Sequence, residues 1–257
     1  AWGNAPKRDS HLSASEKINL ALSWVGRQEP IAIPTVLTRW TVRAAPDRTA
    51  SLSTNGRELI YNHGFVDCLS LNGTKAIVLH AVGHVLSQHH HRRGNLDPVL
   101  WNIATDLALN CLLQRGYLAA FGNNFADMFN ELIDPDTATS GAFAGYGKFN
   151  KFPQNLSAGE YVNMLRDEAH RQSQPQPGDQ VGDQDQGNTN GGGSPSYADI
   201  FGDPTATFGG GIEDCPVMDN EDPDEARRSD ESIVTRAAQL NPQDASDKYS
   251  KLGLGHI

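Results

Sequence analysis

Cysteine is scarce in this chain of 257 residues. The three cysteines, Cys68, Cys111 and Cys215, are far apart and odd in number, which fits neither a disulfide framework nor a zinc knuckle built from paired cysteines. We therefore expect a reducing compartment, the cytoplasm. No apolar run approaches the roughly 18 residues needed to cross a bilayer, and the N-terminus lacks a basic and then apolar secretory leader. The sequence predicts a soluble protein with no membrane partner.

The chain also lacks an excess of basic residues. Its net charge is −10, and residues 1–170 carry 15 acidic and 15 basic side chains, so the negative balance belongs to residues 171–257. A nucleic-acid-binding surface needs clustered basic residues that displace phosphate counterions. The one basic pair near the candidate site described below is formed by Arg92 and Arg93. We expect no nucleic-acid partner.

Aliphatic residues are nearly missing between Gln172 and Ser196, where Val181 stands alone. Such a composition cannot offset the entropy of ordering the chain. We predict a domain at residues 1–170, a flexible linker rich in Gln, Gly, Pro and Asp at 171–205, and an acidic C-terminal segment at 206–257 that is inhibitory or a truncated remnant. Apolar residues at helical spacing predict one amphipathic helix over residues 224–240 of that segment.

Local signals in the first 170 residues predict an α+β fold, mainly helical with a small sheet. Serine followed three residues later by glutamate forms a capping box, and β-branched runs beside turn residues favour strands. The predicted helices follow Ser13, span residues 72–91, span 97–113 with Asp97 as the cap, and follow Ser157; the predicted strands span 31–42, around Pro34, and 57–61, after the turn at Asn55 and Gly56.

Two histidines on the helix predicted over 72–91 have the spacing of a metal site. His80 and His84 are four residues apart, so their imidazoles lie on one helical face, one turn from each other. This spacing can hold one divalent ion. Because the chain has nine histidines, such a pair also arises easily by chance, and the spacing alone is a weak signal.

The next helix, over 97–113, is apolar except for one polar row. Asn102, Asp106 and Asn110 follow each other at intervals of four, so they share a face, and the remaining surface is mostly leucine and isoleucine. A carboxylate on such a buried helix is costly unless it is paired or binds a metal. Asp106 is therefore a candidate third metal ligand. The alternative is that it caps a neighbouring loop or pairs with Arg92 or Arg93.

These residues stand in a longer pattern that resembles a known family. The run STNGRELIYNHGFVDCLSLNGTKAIVLHAVGHVLSQHHHRRGNLDPVLWNIATDLALN is similar to zinc metallopeptidases predicted in bacteria and phages, which often precede a von Willebrand A-like domain. The resemblance covers roughly residues 13 to 135. Its markers are an H-E-x-x-H helix, a following histidine with an Arg-Arg pair, and then W-N-x-A-x-D-x-x-x-N.

The resemblance implies a zincin-like fold with His80, His84 and Asp106 on zinc. It also implies a protein substrate and a MoxR-type AAA ATPase as a partner. The chain ends at Ile257 without room for a von Willebrand A-like domain, so we expect a truncated, processed or short form. Two histidines and one aspartate would also accept Mn, Co or Ni, with zinc favoured by role and geometry.

One departure from the family pattern falls at the catalytic position. Position 81 is alanine in HAVGH, where the family has the glutamate that takes a proton from the attacking water and returns it to the leaving amine. Without it, peptide hydrolysis should nearly stop. Ala81 is either natural, in a pseudoenzyme that only binds, or a substitution that disables the enzyme. We favour the second interpretation because every neighbouring marker is intact.

Several further residues have candidate roles that the sequence leaves open. Tyr117, Tyr146 or His63 could stabilise an oxyanion, but nothing in their spacing selects one, and each has a structural or surface role as its alternative. His89, His90 and His91 are predicted to form a solvated helix end, with His89 able to face inward beside a ligand. Gly83 inside a helix indicates close packing or a tolerated defect, and Trp101 is predicted to be core.

Cys215 is a candidate regulatory ligand. Its thiolate could occupy the open metal position and keep the enzyme latent until the linker is cut, whereas the alternative is an ordinary reduced cysteine. The acidic segment could also lie across the cleft as a mimic of a bound peptide.

We conclude that the sequence predicts a zinc-dependent endopeptidase that cleaves a protein, its own linker or tail included. The competing interpretations are a zinc-binding adaptor without catalysis and a helical scaffold without metal.

Overall fold

A computed structural model describes residues 8–27, 32–114, 146–173, 195–202 and 211–212 of the chain. Helices predominate in this part, with a small four-stranded sheet, so the α+β prediction is confirmed. The helices are α1 (Ala14–Val25), α2 (Ala32–Arg39), α3 (His63–Cys68), α4 (Leu71–Leu86), α5 (His89–Arg92), α6 (Pro98–Gln114), α7 (Ala158–Ser173) and α8 (Tyr197–Phe201), with a 3₁₀ turn at Gly147–Phe149; the strands are β1 (Thr41–Ala44), β2 (Leu52–Thr54), β3 (Glu58–Tyr61) and β4 (Gly211–Ile212).

The sheet has the strand order β1-β3-β2-β4. β2 and β3 form an antiparallel hairpin across the predicted Asn55–Gly56 turn, with Leu52 opposite Tyr61. The Asn55 side chain accepts from the backbone N–H of Glu58 at 2.8 Å, and Gly56 has a φ of 87°, which suits glycine. β1 is parallel to β3, and the short β4 is parallel to β2 on its other side.

The helix ends follow the predicted caps. The capping box at Ser13 with Glu16 opens α1, Ser157 pairs in the same way with Glu160 before α7, and Asp97 caps α6 by accepting the N–H of Val99 at 2.9 Å. These predictions are confirmed. The predicted helix over 224–240 lies outside the described residues. No helix in the described part of the chain is long and apolar enough to cross a membrane.

Two elements differ from the prediction. The strand predicted over 31–42 is wrong for most of its length, because residues 32–39 form α2 and the strand begins at Thr41. Pro34 lies in the first turn of α2, where its missing N–H has no intrahelical partner to lose. The helix predicted over 72–91 ends at Leu86, because Gln88 is in the left-handed region with a φ of 52°. A separate short helix, α5, follows.

The core consists of two clusters that meet at α4 and α6. The first packs α1, α2 and the sheet against α4, and the second packs α7 and α8 against α6. Leu109 of α6 belongs to the first cluster, and it contacts α4 at Gly83. The two helices that carry the predicted ligands are therefore held against each other by core packing on both sides.

A buried lysine ties the N-terminal segment to α3. Lys17 on α1 is fully buried, and its Nζ lies 2.6–3.3 Å from the carbonyl oxygens of Arg8, Val66, Asp67 and Leu69. The ammonium thus bonds to carbonyls at and just after the end of α3, where helical hydrogen bonding stops. The sequence gives no signal for this role, since Lys17 follows a capping box in an ordinary amphipathic helix.

Candidate metal centre

α4 presents the two histidines toward the second core cluster. Ser70 caps the helix by accepting the N–H of Gly73 at 3.0 Å, and thirteen of its sixteen residues are buried. His80 and His84 are 2% and 3% exposed. Their Nε2 atoms lie 2.7 Å apart, one helical turn from each other as the spacing predicts. Both nitrogens therefore face one point.

α6 brings a carboxylate to the same point. One carboxylate oxygen of Asp106, Oδ1, lies 2.9 Å from His84 Nε2 and 3.3 Å from His80 Nε2, and the residue is completely buried. The rest of the predicted polar row, Asn102, Thr105 and Asn110, is buried as well. Asp106 contacts His80, His84 and Tyr146, whereas Arg92 donates to the Ser87 carbonyl and Arg93 to that of Leu96.

The donor set fits one small divalent ion. One ligand atom from each of the three residues lies within 4.8 Å of the others. Metal–ligand distances of about 2.0–2.1 Å in a tetrahedral site separate neighbouring ligand atoms by roughly 3.3 Å, so the observed 2.7, 2.9 and 3.3 Å need a small expansion. Two imidazole nitrogens and one carboxylate oxygen are ligands typical of zinc. That these residues bind a metal stays a prediction.

Burial sets the protonation of the cluster. It lowers the pKa of His84 to about 4, and the nearby His80 adds to this effect. Burial alone would raise the pKa of Asp106, but hydrogen bonds with His80 and His84 outweigh it and lower the pKa below its ordinary value. At neutral pH the cluster therefore holds a neutral His84 and a charged Asp106, which are the forms that coordinate metal.

Neighbouring side chains fix two of the three residues. Tyr146 donates its hydroxyl proton to Oδ2 of Asp106, which leaves Oδ1 toward the histidines. His89 Nδ1 lies 3.0 Å from His84 Nδ1. Burial, followed by the effect of His84, lowers the pKa of His89 well below its ordinary value. Of the three oxyanion candidates, Tyr146 is thus placed at the site, in contact with a predicted ligand.

Of the other two oxyanion candidates, one lies elsewhere and one is outside the described residues. His63 lines a separate cleft of about 460 Å³ together with His11, Lys17 and Asp67, and the lining of that cleft includes none of the three predicted ligands. Tyr117 lies outside the described residues, as does Cys215. No role for either follows from the structure.

The histidine run after α4 is not a solvated helix end. His89 and His90 are 5% and 6% exposed, so that prediction is wrong for both. The left-handed Gln88 turns the chain, which points His89 at His84 and packs His90 against the hairpin turn, where a Cβ on Gly56 would lie 2.7 Å from His90 Nε2. Trp101 is core, as predicted, and donates its indole N–H to the His89 carbonyl at 2.9 Å.

The cluster is closed to solvent. Its three residues are at most 3% exposed, and Ala81, beside His80, is 2% exposed within the first core cluster. A peptide cannot reach the cluster in this conformation. Gly83 lets α6 approach α4 closely, since a Cβ there would lie 2.8 Å from Leu109 Cδ1.

Comparison with known proteins assigns the chain to a family. A match to the family described as "putative metallopeptidase domain" covers residues 13–251, nearly the whole chain. The chain belongs to this metallopeptidase family. Membership and the buried His80, His84 and Asp106 cluster together support a metal-dependent peptidase. The family match begins at the cap of α1 and extends past β4. No curated protein and no solved structure matches the chain.

Proposed function

We propose that this member of the metallopeptidase family is a zinc-dependent endopeptidase with a zincin-like site. The observation that carries the proposal is the convergence of His80, His84 and Asp106, from two helices, within 2.7–3.3 Å in a chain that belongs to a metallopeptidase family. We propose a protein substrate, the chain's own linker at 171–205 included. A MoxR-type AAA ATPase partner is part of the proposal on resemblance alone.

Each residue of the cluster has a defined task. His80 and His84 would hold the ion through Nε2 and Asp106 through Oδ1, while Tyr146 occupies Oδ2 and keeps the carboxylate from rotating. Zinc, when bound, supplies polarisation of the scissile carbonyl and lowers the pKa of a water molecule. With three protein ligands, a fourth position is left for water or substrate, as catalytic zinc sites require.

The residue at position 81 decides whether this chain can hydrolyse a peptide bond. A glutamate there would take the proton of the attacking water and give it to the leaving amine. Alanine offers no group that can move a proton. We therefore propose that the chain as it stands is an inactive form of a peptidase, disabled by a Glu-to-Ala change at this position.

We also propose that the C-terminal segment keeps the site latent. β4 adds residues 211 and 212 to β2, with Ile212 opposite Thr54, two residues before the Gly56 turn on which His90 packs. In the sequence, Cys215 follows Ile212 by three residues. Residues 211 and 212 thus pair with a strand that α4 contacts, and the burial of the cluster supports the proposal of a latent state.

A second candidate function is a zinc-binding adaptor without catalysis. The observation that favours it is the near-complete burial of the three predicted ligands together with Ala81, because a peptide substrate needs access to the ion and a metal with a purely structural role does not. A scaffold without metal is the third candidate, and stoichiometric zinc by elemental analysis would exclude it.

The test restores the base. We expect the Ala81→Glu protein, loaded with zinc, to cleave itself or casein, detected by intact mass, because it regains a proton acceptor beside the ion. The unchanged chain and Ala81→Gln, which has nearly the same volume as glutamate and no basic carboxylate, are the controls and should not cleave. Zinc binding without cleavage in the Glu form would contradict an active peptidase in this state and favour the adaptor.

Latency has its own test in the Ala81→Glu background. If the thiolate of Cys215 holds the open metal position, Cys215→Ala should raise cleavage severalfold, whereas Cys68→Ala on α3 should change nothing. Equal rates in all three proteins would remove the thiolate from the proposal.

A further inference from the structure

His89 and His84 face each other through the same ring atom. Their Nδ1 atoms are 3.0 Å apart, a hydrogen-bond distance, and both residues are buried. A hydrogen bond between two imidazole nitrogens needs one donor and one acceptor, so one Nδ1 carries a proton and the other does not. The pair therefore has two arrangements, which differ in the tautomer of His84.

The predicted metal contact is compatible with one of these arrangements. His84 turns Nε2 toward His80 and Asp106, so a metal would take the lone pair of Nε2 and leave the proton on Nδ1. His89 Nδ1 must then be the acceptor. If His89 donated instead, His84 would carry its proton on Nε2, where it would block the metal.

The fold holds His89 with its Nδ1 facing His84 Nδ1. The left-handed Gln88 reverses the chain after α4, so that His89 lies back over His84. Trp101 of α6 fixes the backbone there by donating to the His89 carbonyl at 2.9 Å, and its ring meets the His89 ring edge-on, with the centroids 5.9 Å apart. A residue on α6, the helix that carries Asp106, thus orients the partner of a ligand on α4.

The two histidines of the cluster differ in this respect. His80 Nδ1 is buried without a hydrogen-bond partner among the described residues, whereas His84 Nδ1 has His89. Acceptors on the second ring nitrogen fix the tautomer and orientation of metal-binding histidines and raise their basicity. Among the described residues, such a hydrogen-bond partner is present for His84 and not for His80.

We propose that His89 is a positioning residue that holds His84 in the tautomer that binds metal. The inference rests on the proposed metal site and adds to it a residue that the family pattern does not place on the ion. When a metal displaces the hydrogen bond between His84 Nε2 and Asp106, His89 Nδ1 would accept the Nδ1 proton of His84 and so leave Nε2 free for the metal.

The test measures metal affinity in the full chain, with Ala81 retained so that no cleavage interferes. His89→Leu removes the acceptor, and His89→Asn restores one, since asparagine Oδ1 occupies nearly the place of histidine Nδ1. His91→Leu and His91→Asn, on the same short helix but half-buried, are matched controls. Zn²⁺ affinity is measured by competition with a chromophoric chelator, Co²⁺ binding by its visible absorption, and folding by thermal unfolding of the metal-free proteins.

We expect His89→Leu to weaken Zn²⁺ binding by about 10- to 100-fold and to change the Co²⁺ spectrum. His89→Asn should recover most of the affinity, and the His91 variants should bind as the parent does. Unchanged affinity in His89→Leu would overturn the inference, and so would equal losses in His89→Leu and His89→Asn at matched metal-free stability. Absence of Zn²⁺ binding by the parent chain would instead overturn the metal site and the proposed function.

Discussion

Replacing Gly83 by alanine tests how α4 and α6 are held together at the metal cluster. Gly83 precedes His84, and Leu109 lies on α6 one turn after Asp106. A Cβ at position 83 would lie 2.8 Å from Leu109 Cδ1 and 3.0 Å from Cδ2, closer than carbon atoms approach without strain. Leu109 is 1% exposed, so its side chain cannot move aside into solvent. The added methyl group must displace the Leu109 side chain within the core or push the two helices apart.

The sign of the stability change separates two explanations of this glycine. Alanine is better than glycine in a helix interior by about 1 kcal/mol, so a merely tolerated glycine would give a more stable variant. Overpacking a buried contact costs about 1–3 kcal/mol. We therefore expect Gly83→Ala to lower the free energy of unfolding by about 1 kcal/mol and to weaken zinc binding, because Asp106 moves away from the histidines.

Urea denaturation of the metal-free proteins measures the effect, with Leu109→Val as the second arm of a double-mutant cycle. Valine has no Cδ atoms, so Gly83→Ala in that background should raise the free energy of unfolding by about 1 kcal/mol, which gives a coupling of about 2 kcal/mol. A gain of about 1 kcal/mol from Gly83→Ala in both backgrounds would refute the close contact between the helices.

Three further predictions concern the fold and the site. Lys17→Met should lower the free energy of unfolding by about 3–5 kcal/mol, because it leaves buried carbonyls without their cation. The control is Lys151→Met at an exposed position, which should lower it by less than about 1 kcal/mol. Equal losses for the two variants in urea denaturation would contradict a stabilising role for the buried Lys17. Tyr146→Phe should weaken Zn²⁺ binding by about tenfold, since Asp106 loses its second-oxygen partner, and unchanged chelator competition would argue against it. The metal-free protein should lose stability as the pH falls from about 6.5 to 4, because His84 takes up a proton in the unfolded chain but, with its pKa of about 4, not in the native state. Urea midpoints that do not change over that pH range would exclude a contribution of His84 to the pH dependence of stability.

Local sequence determined the four longest helices, α1, α4, α6 and α7, and the main features of the candidate site. The capping residues Ser13, Asp97 and Ser157 act on N–H groups within three residues, so helix starts can be located without tertiary information. The four-residue spacing of His80 and His84 is a property of the helix itself. Together with the polar row of α6, it indicated the ligand set before any fold was known.

Contacts between distant segments decided the rest. Residues 32–39 carry β-branched side chains yet form α2, because a helical face there packs Val36 and Leu37 on the first core cluster and tertiary packing overrides a weak local preference.

The same holds around the metal cluster. The turn at Gln88 and the placement of Tyr146 on Asp106 have no signal in spacing, since each depends on a partner from 5 to 40 residues away along the chain. The sequence by itself determined which residues could bind a metal, and the tertiary structure alone decided which neighbours orient them, because hydrogen bonds between separate elements exist only after those elements have packed.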